Sequence, residues 1–582
     1  MATKLSLKKS EIIFLILIYL SGVFLRLFPR LSLDPHLLCF EADIWYRVCL
    51  AQYLLDHGHL PAWDIRYEAY GHVPVWYNPL AIYFLAGLSK LFALDLPTVC
   101  SRVMPFIESF AVLSIYFLCR KLYNKRVALI TTLFLQLSPA FTFWTGISTL
   151  QSFTLFLIPI MILLWIKFLQ NKFLLNDRWL HLSLMGFLLA VDFLFHLSFF
   201  NLVIILVLVH LGLILESQAQ VKHFRYLLIP LFLSQALTLW WWGPKNLYWW
   251  WSQVLTTSSA FFEGMVFLKH YGILSGILGH LALIILIVFI IKHHKAFPPF
   301  YLVPILWAIY PMIETHNEAI LKLIHHSEWT WVNIMKPLEG FRFYCFLSQP
   351  LAVCFGIVLD KIFETNFIQR LKFQKILIVF VISIFSFALL FDMLKNYNLF
   401  GRFSNPSMQI EEVEAAQWFR KHSKPTDRIL AEYFTSQMFC GICGGKCLEG
   451  SMFPLKNVHI PYITEGWLVQ KDTYSVYTTD DPGWIGFILK RYGCTHVFYS
   501  KKSMRHIEYI TKGDIVLEDI TSLEGKDFSA TLFNPQYFKT IYENKDIKIL
   551  EWLEQKMSVS QTSIDAKKIL FEEIPKSQVP IK

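Results

Sequence analysis

The chain has 582 residues, of which 55% are hydrophobic and only 16% are charged, and its mean hydropathy is +0.46. Soluble domains of ordinary composition carry about 25% charged residues, so this composition excludes a purely soluble globular protein and indicates a membrane protein. The net charge of +10 does not indicate nucleic-acid binding, because the Lys and Arg residues fall in short clusters between apolar runs.

Twelve apolar segments follow one another over the first 395 residues. A helix needs about 20 apolar residues to cross a bilayer, and most of these segments approach that length. The segments lie at 11–29, 78–94, 101–119, 127–146, 150–170, 179–197, 199–215, 226–242, 272–291, 298–314, 341–360 and 374–395. The sequence therefore predicts a mainly α, polytopic helical membrane protein.

Short basic clusters predict the orientation of these segments. The N-terminal lysines and the basic loop 120–126 are both predicted to be cytoplasmic, which requires an even number of crossings between them. Segments 11–29 and 101–119 supply two crossings, so segment 78–94 is predicted to be an amphipathic helix along the outer interface. The prediction is eleven crossings, a cytoplasmic N-terminus and an extracytoplasmic C-terminal domain.

The composition becomes polar after the last apolar segment. We predict a transmembrane domain at 1–395, with a long outer loop at 30–77 and the interfacial helix at 78–94. A small extracytoplasmic α/β domain is predicted at 396–555, because the helix-like EEVEAAQWFRKH precedes the strand-like RILAEYF and THVFYSKK. A polar tail follows at 556–582.

The first outer loop is the first place where chemistry is indicated. It contains CFEADIWYR, in which Glu41 and Asp43 lie one residue apart, and it also contains His59 and Asp64. Carboxylates bind divalent cations through oxygen or accept a proton from an attacking nucleophile. Each acid taken alone is equally explained as a solvated loop charge. Their position at a membrane exit favours a functional role for Asp43.

Two later outer segments carry further candidates. Glu263 lies in TTSSAFFEGM, and Arg342 lies in PLEGFRFYCF at the outer end of a predicted crossing. The planar guanidinium of Arg suits bidentate contact with a phosphate. The alternatives are an exposed loop glutamate and an arginine that extends to the lipid headgroups.

Three cysteines in CGICGGKC form a third feature. The spacing of Cys440, Cys443 and Cys447 is compatible with a zinc site, and in an extracytoplasmic domain it is equally compatible with a disulfide. The sequence leaves both possibilities open.

Taken in order, several stretches resemble the GT-C superfamily of membrane glycosyltransferases, and most closely the catalytic-subunit family of oligosaccharyltransferase. EADIWYRVCLAQYLLDHGHLPAWD with GHVPVWYNPL resembles that family's first outer loop. RKLYNKRVALITTLFLQLSPAF resembles its second cytoplasmic turn and third crossing, and GFRFYCFLSQPLAVCFGIVLD resembles its late crossing. The resemblance covers roughly residues 10–400, with a weaker match at EAAQWFRKHSKPTDRIL.

The resemblance implies an enzyme that transfers a sugar or oligosaccharide from a polyprenyl-phosphate or polyprenyl-diphosphate donor to an acceptor at the outer membrane face. Asp43 matches the first-loop acid and Glu263 the later acid, both catalytic, and Arg342 matches the donor-phosphate arginine. Further residues predicted at the donor phosphate or around the substrates are Arg47, Glu41, His59, Asp64 and Gln151. Membrane lipid is an expected partner and nucleic acid is not.

The sequence also departs from the family. TGISTLQSF places Thr149 and Gln151 where the family has an acidic pair that helps to bind a metal, and neutral oxygens bind a hard cation less well than carboxylates. Asp43 and Glu263 would hold Mn²⁺ or Mg²⁺ if a metal is used. Without a metal, Asp43 is the general base, which is the role that we favour. LAEYFTSQMF also stands in place of the family's peptide-binding Trp-Trp-Asp-Tyr-Gly motif.

Three other functions remain open at this point. A divergent oligosaccharyltransferase would act on protein Asn, and a catalytically inert relative would only bind glycolipid. A lipid or sugar transporter would place ionisable residues near mid-membrane, where Asp192 and His196 are the clearest candidates.

Overall fold

The computed structural model of the chain describes residues 8–38, 42–61, 75, 77–148, 150–170, 175–196, 198–256, 269, 271–293, 299–316, 340–371, 373–404, 408–444, 446–448, 472–500, 530–545 and 547–553. The chain divides into two compact units. The first is formed by residues 1–44 and 76–407, and the second by residues 45–75 and 408–582.

The described residues up to Phe403 are mainly helical. Their helices are α1 (Lys9–Leu27), α2 (Ala42–His57), α3 (Pro79–Phe92), α4 (Leu96–Leu122), α5 (Lys125–Gln136), α6 (Pro139–Trp144), α7 (Gln151–Gln170), α8 (Leu175–Phe195), α9 (Phe199–Leu215), α10 (Phe224–Thr256), α11 (Ile273–Lys292), α12 (Leu302–Thr315), α13 (Gly340–Phe363), α14 (Asn366–Gln369), α15 (Gln374–Phe391) and α16 (Leu399–Phe403). Large apolar side chains remain exposed on α1, α11 and α15, as expected for helices that face lipid.

Seven described helices are long and apolar enough to cross a membrane. They are Lys9–Arg30, Leu96–Leu122, Gln151–Gln170, Arg178–Phe195, Ile273–Lys292, Phe343–Phe363 and Gln374–Asn396. The four other predicted crossings are also helical, but α9 and α12 are short, the segment at 127–146 is divided between α5 and α6, and α10 is 33 residues long. The prediction of a polytopic helical membrane protein is confirmed, and seven of the eleven predicted crossings meet this criterion within the described residues.

Polar contacts gather several predicted cytoplasmic segments at one end of the first unit. Arg120, at the end of α4, lies 3.1 Å from the fully buried Glu11 at the start of α1. Arg126, at the start of α5, lies 3.0 Å from Asp360 near the end of α13. These helix ends therefore share one end of the unit. Which side of the membrane that end faces stays a prediction.

Helix α3 does not cross the unit. Asn78, just before α3, donates a hydrogen bond to the carbonyl of Phe193 at 2.6 Å, near the end of α8. Asp95, just after α3, contacts His36 at 2.9 Å, shortly after α1. Because Phe193 and His36 both lie at the end opposite Glu11, α3 runs across that end. That α3 lies along the membrane interface stays a prediction.

The second unit contains a small mixed sheet with helices. The helices are α17 (Ile410–His422), α18 (Tyr433–Cys443) and α19 (Pro482–Arg491), with residues 472–478 also helical. The strands are β1 (Ile429–Leu430), β2 (Cys447–Leu448), β3 (His496–Ser500), β4 (Phe538–Asn544) and β5 (Ile547–Trp552), in the order β2-β1-β3-β5-β4. β1 is parallel to β2 and β3, whereas β5 is antiparallel to β3 and β4. The predicted C-terminal α/β fold is confirmed.

Helix α2 begins in the first unit and continues in the second. Trp45 is fully buried, and a Cβ added to Gly441 of α18 would lie 2.9 Å from its ring. The glycine therefore lets α18 approach α2 closely. The described residues 45–61 of the predicted first outer loop therefore belong to the second unit.

Candidate functional site

The structure describes some of the predicted site residues fully, some only by their backbone and some not at all. Glu41, Asp64 and Glu263 lie outside the described residues. Asp43 and Arg342 have a described backbone, in the first turns of α2 and α13, but their side chains lie outside the description. The roles assigned to these five residues therefore stay predictions.

A narrow crevice lies beside the position of Asp43. It has about 210 Å³ of unfilled space, including its open mouth, and Ile44, the residue after Asp43, forms part of its wall. The residues that line it are Arg30, Leu38, Ile44, Cys100, Ser101, Ile147 and Ser148. All of them belong to the first unit, at the end where α3 lies. We call this feature the Asp43 crevice.

Two buried arginines at the end of α1 hold one wall of the Asp43 crevice. Arg26 donates to the carbonyl and the hydroxyl of Thr145, and Arg30 donates to the carbonyl of Gly146. Both side chains are nearly inaccessible to solvent. The segment between α6 and α7 is thereby tied to the end of α1. Sequence reasoning missed these arginines, although their four-residue spacing places them on one face of a helix end.

The segment that these arginines hold has an unusual backbone. Ser148 and Leu150 both have positive φ angles, 58° and 65°, which are uncommon for residues other than glycine. The Ser148 hydroxyl donates to the carbonyl of Cys100 at 3.0 Å across the crevice wall. Such conformations persist where surrounding contacts impose them, and they cluster at functional sites.

Gln151 begins α7 directly after this segment and is 5% exposed. Its amide oxygen has no hydrogen-bond partner among the described residues. The structure therefore places this predicted site residue, with a buried polar oxygen, next to the strained segment. Thr149, the other neutral replacement, lies outside the described residues.

The end of the unit that holds the crevice is rich in guanidinium groups. Arg30 lies 4.6 Å from the centre of the Phe403 ring, and Arg402 lies 4.3 Å from that of Tyr397. Within the part of the chain that the structure describes, the Nε of Arg30 is buried without a hydrogen-bond partner. Positive charge with an available N–H donor favours an anionic or oxygen-rich ligand at this place.

Two predicted residues belong to the second unit. Arg47, one turn after Asp43, is buried, with 6% of its surface exposed. His59 is exposed, and its described contacts are local: its Nδ1 lies 3.0 Å from the carbonyl of Leu60 and its ring lies near Tyr53. The donor-phosphate role of Arg47 and the substrate role of His59 stay predictions.

The described residues contain no group of three or more His, Cys, Asp or Glu that could hold a metal ion. The side chains predicted to bind Mn²⁺ or Mg²⁺, those of Asp43 and Glu263, lie outside the description. Gln151 offers one neutral oxygen, which suits a hard cation less well than a carboxylate. Metal dependence therefore stays a prediction.

The three cysteines of CGICGGKC are buried in the second unit. The Sγ of Cys440 lies 3.7 Å from the carbonyl of Cys447. Burial raises the pKa of Cys443 and Cys447, which keeps their thiols protonated and disfavours the thiolate that a metal binds.

The structure also describes Asp192 and His196, the two residues that a transporter would use. Asp192 is fully buried in α8, and its Oδ1 accepts a hydrogen bond from the Thr154 hydroxyl at 2.8 Å. The Nδ1 of His196 lies 2.6 Å from the hydroxyl of Ser198. Their described polar contacts differ, so the structure does not show them as an acid–imidazole pair.

No family model matches the sequence, and comparison with curated proteins gives no significant match. Solved structures with a similar fold do exist. The archaeal oligosaccharyltransferase AglB from Archaeoglobus fulgidus, in complex with an inhibitory peptide and a dolichol-phosphate, is 13% identical with a TM-score of 0.60. The match covers 87% of this chain and 71% of AglB.

Two other glycosyltransferase structures match over most of this chain. ArnT from Cupriavidus metallidurans, bound to undecaprenyl phosphate, is 11% identical with a TM-score of 0.57, and the match covers 94% of this chain and 98% of ArnT. The mycobacterial arabinofuranosyltransferase AftD is 11% identical with a TM-score of 0.51, covering 94% of this chain and 40% of AftD. The chain is an integral membrane protein with the fold of GT-C glycosyltransferases.

Proposed function

We propose that the protein is a membrane glycosyltransferase that moves a sugar or oligosaccharide from a polyprenyl-phosphate or polyprenyl-diphosphate donor to an acceptor at the extracytoplasmic face. The observation that carries the proposal is the Asp43 crevice. The residue after Asp43 lines it together with Arg30, a buried cation with an available N–H donor. The GT-C fold is compatible with the same class of reaction, but similarity of fold does not by itself establish the reaction.

The donor class follows from charge and from the similar structures. Arg30 and the predicted donor arginine, Arg342, suit a phosphate because guanidinium groups donate to phosphate oxygens in a planar fork. The ArnT structure contains undecaprenyl phosphate and the AglB structure contains a dolichol-phosphate. We therefore assign this chain a polyprenyl carrier.

The proposed reaction uses Asp43 as the general base. Its carboxylate accepts the proton of an acceptor hydroxyl, and the hydroxyl oxygen forms the new bond to the sugar's anomeric carbon. The bond from that carbon to the donor phosphate oxygen breaks, and the phosphate leaves with the bonding electrons. Arg30 and Arg342 stabilise the negative charge that develops on the leaving phosphate.

A divalent cation is the other way to stabilise that charge. If Mn²⁺ or Mg²⁺ is bound, Asp43 and Glu263 are the residues that would hold it, and it would offset charge on the leaving phosphate. The neutral Gln151 beside the crevice favours the metal-independent route.

The acceptor class is narrower than the sequence resemblance alone implies. LAEYFTSQMF replaces the motif that binds the acceptor peptide in oligosaccharyltransferases, and part of it forms α18, which is buried in the second unit. We therefore propose a hydroxyl-bearing acceptor. Transfer to the Asn of a peptide would instead support the divergent oligosaccharyltransferase.

The test measures sugar release from polyprenyl-phosphate-sugar and polyprenyl-diphosphate-sugar donors by the purified protein, with Mn²⁺ or with EDTA. Wild type is compared with Asp43→Asn and with Asp56→Asn. Asp56 is a matched control, because it is an exposed acid of α2 that accepts a hydrogen bond from Gln52 at 2.7 Å. We expect turnover to be lost only in Asp43→Asn and to persist in EDTA. Equal activity in all three proteins would refute the role of Asp43.

A further inference from the structure

A proline interrupts the backbone hydrogen bonds of α7, the helix that begins shortly after the segment that lines the Asp43 crevice. In an α-helix the carbonyl of residue 155 accepts from the N–H of residue 159. Position 159 is a proline inside α7, so it has no N–H to donate. The carbonyl of Leu155 therefore needs another donor, because an unpaired carbonyl in the membrane interior is costly.

Gln349 of α13 supplies that donor. Its Nε2 donates to the Leu155 carbonyl at 2.7 Å, and its side chain is fully buried. A carbonyl oxygen only accepts hydrogen bonds, so the amide nitrogen must face it, and this fixes the orientation of the side chain. Gln349 thus replaces the backbone bond that Pro159 removes.

The bond fixes where α13 lies along α7. Gln349 follows Arg342 by seven residues, which is two helical turns or about 10 Å. Leu155 follows Gln151 by four residues, which is about one turn. Both helices run inward from the crevice end, where the Trp144 indole also donates to the Tyr344 hydroxyl at 3.1 Å. A shift at Gln349 would therefore displace Arg342 relative to Gln151.

α13 is itself weakened at this depth. Pro350 follows Gln349 and removes the donor for the Phe346 carbonyl. Helices bend most easily where a proline interrupts them. The interhelical bond of Gln349 therefore lies where both helices are easiest to bend.

We infer that Gln349 is a positioning residue, which holds the start of α13, and with it Arg342, at the level of the Asp43 crevice. Its bond to the Leu155 carbonyl sets the placement of the donor-phosphate arginine. The importance of that placement for the donor rests on the proposed function. The bond itself and its effect on helix mobility do not.

The test is a double-mutant cycle of the full-length protein, made of wild type, Gln349→Met, Pro159→Ala and the double variant. Methionine is close to glutamine in volume but cannot donate a hydrogen bond. Pro159→Ala restores the N–H that the Leu155 carbonyl lacks. Thr132→Val is the matched control, because the buried Thr132 hydroxyl donates to the Ala128 carbonyl at 2.7 Å within α5.

The first readouts need no ligand. We expect Gln349→Met to lower the melting temperature, and the double variant to recover most of that loss because the carbonyl is again paired. Hydrogen exchange at 343–349 is expected to be faster in both variants that lack Gln349, and unchanged in Thr132→Val. Wild-type exchange rates in the double variant would overturn the inference.

The last readout is the dissociation constant for undecaprenyl phosphate, measured with the same proteins in nanodiscs. Both variants without Gln349 are expected to bind this carrier about tenfold more weakly, including the double variant with its recovered stability. Binding that recovers together with the melting temperature would show a purely structural role and overturn the inference. If wild type binds neither undecaprenyl phosphate nor dolichyl phosphate, the proposed function fails, while the exchange data still decide the role of Gln349 in helix placement.

Discussion

Arg26 and Thr145 are joined through both the backbone and the side chain of the threonine. The Arg26 Nε lies 3.4 Å from the Thr145 carbonyl oxygen, and its Nη2 donates to the Thr145 hydroxyl. The two residues are 119 positions apart in sequence, and both are fully buried. This contact holds the segment after α6 against the end of α1, where it forms a wall of the Asp43 crevice.

We expect Arg26→Met to destabilise the protein by about 3 kcal/mol, because it removes the charge that compensates the buried Glu108 carboxylate. Thermal unfolding in detergent measures the loss. Glu108→Gln in the same chain removes the carboxylate charge that Arg26 faces, so the double variant should be more stable than Arg26→Met alone. A double variant that is no more stable would contradict this explanation.

Arg30→Lys tests whether Arg30 contacts the phosphate of the lipid-linked sugar donor. Lysine keeps the positive charge but lacks the planar fork and the Nε–H that has no described partner. We expect affinity for undecaprenyl phosphate to fall about tenfold, equivalent to about 1.4 kcal/mol. Isothermal titration with the protein in nanodiscs measures it, and Arg26→Lys serves as the control for a general loss of stability. Unchanged affinity in Arg30→Lys would argue against a phosphate contact.

Gly146→Ala is predicted to disturb the same wall by overpacking. An added Cβ would lie 2.7 Å from the Cζ of Phe403 and 3.0 Å from the Cγ of Arg26. Overpacking of this kind costs about 1–3 kcal/mol, measured here as a lower unfolding midpoint. Phe403→Leu provides space at the tighter contact, so the double variant should recover part of the loss. An alanine variant as stable as wild type would mean that Phe403 moves freely.

We predict that the protein becomes less stable at alkaline pH, because His36 loses its proton there. The hydrogen bond with Asp95, aided by that with Asp34, raises the pKa of His36 to about 9. Its stabilising effect is therefore complete below its ordinary pKa of about 6.5 and is lost as the pH rises toward 9. The pair is partly exposed, so we expect the melting temperature to fall by only a few degrees across this window.

His36→Asn is the control for this pH effect. The melting temperature of the variant should be the same at pH 6.5 and at pH 9. In wild type, high salt should reduce the difference between these two melting temperatures. A variant with the same pH dependence as wild type would show that another group titrates.

The sequence by itself determined the class of fold. Apolar runs dictate membrane helices because a helix satisfies every backbone group without water. The even count of crossings between the N-terminal lysines and the 120–126 loop also predicted that α3 does not cross, and the contacts of Asn78 and Asp95 place both ends of α3 at the same end of the first unit. From the sequence we also predicted that the neutral Gln151 stands where the resembled family has a metal-binding acid.

Only the tertiary structure decided how the crevice is built. Arg26 and Arg30 contact Thr145 and Gly146, more than a hundred residues away, and no local pattern records such a pairing. The packing of α2 from Trp45 onward in the second unit, and the bond from Gln349 to the carbonyl freed by Pro159, were equally invisible. The physical reason is that hydropathy reports whether a residue prefers lipid or water, whereas a hydrogen bond depends on which helix lies beside it.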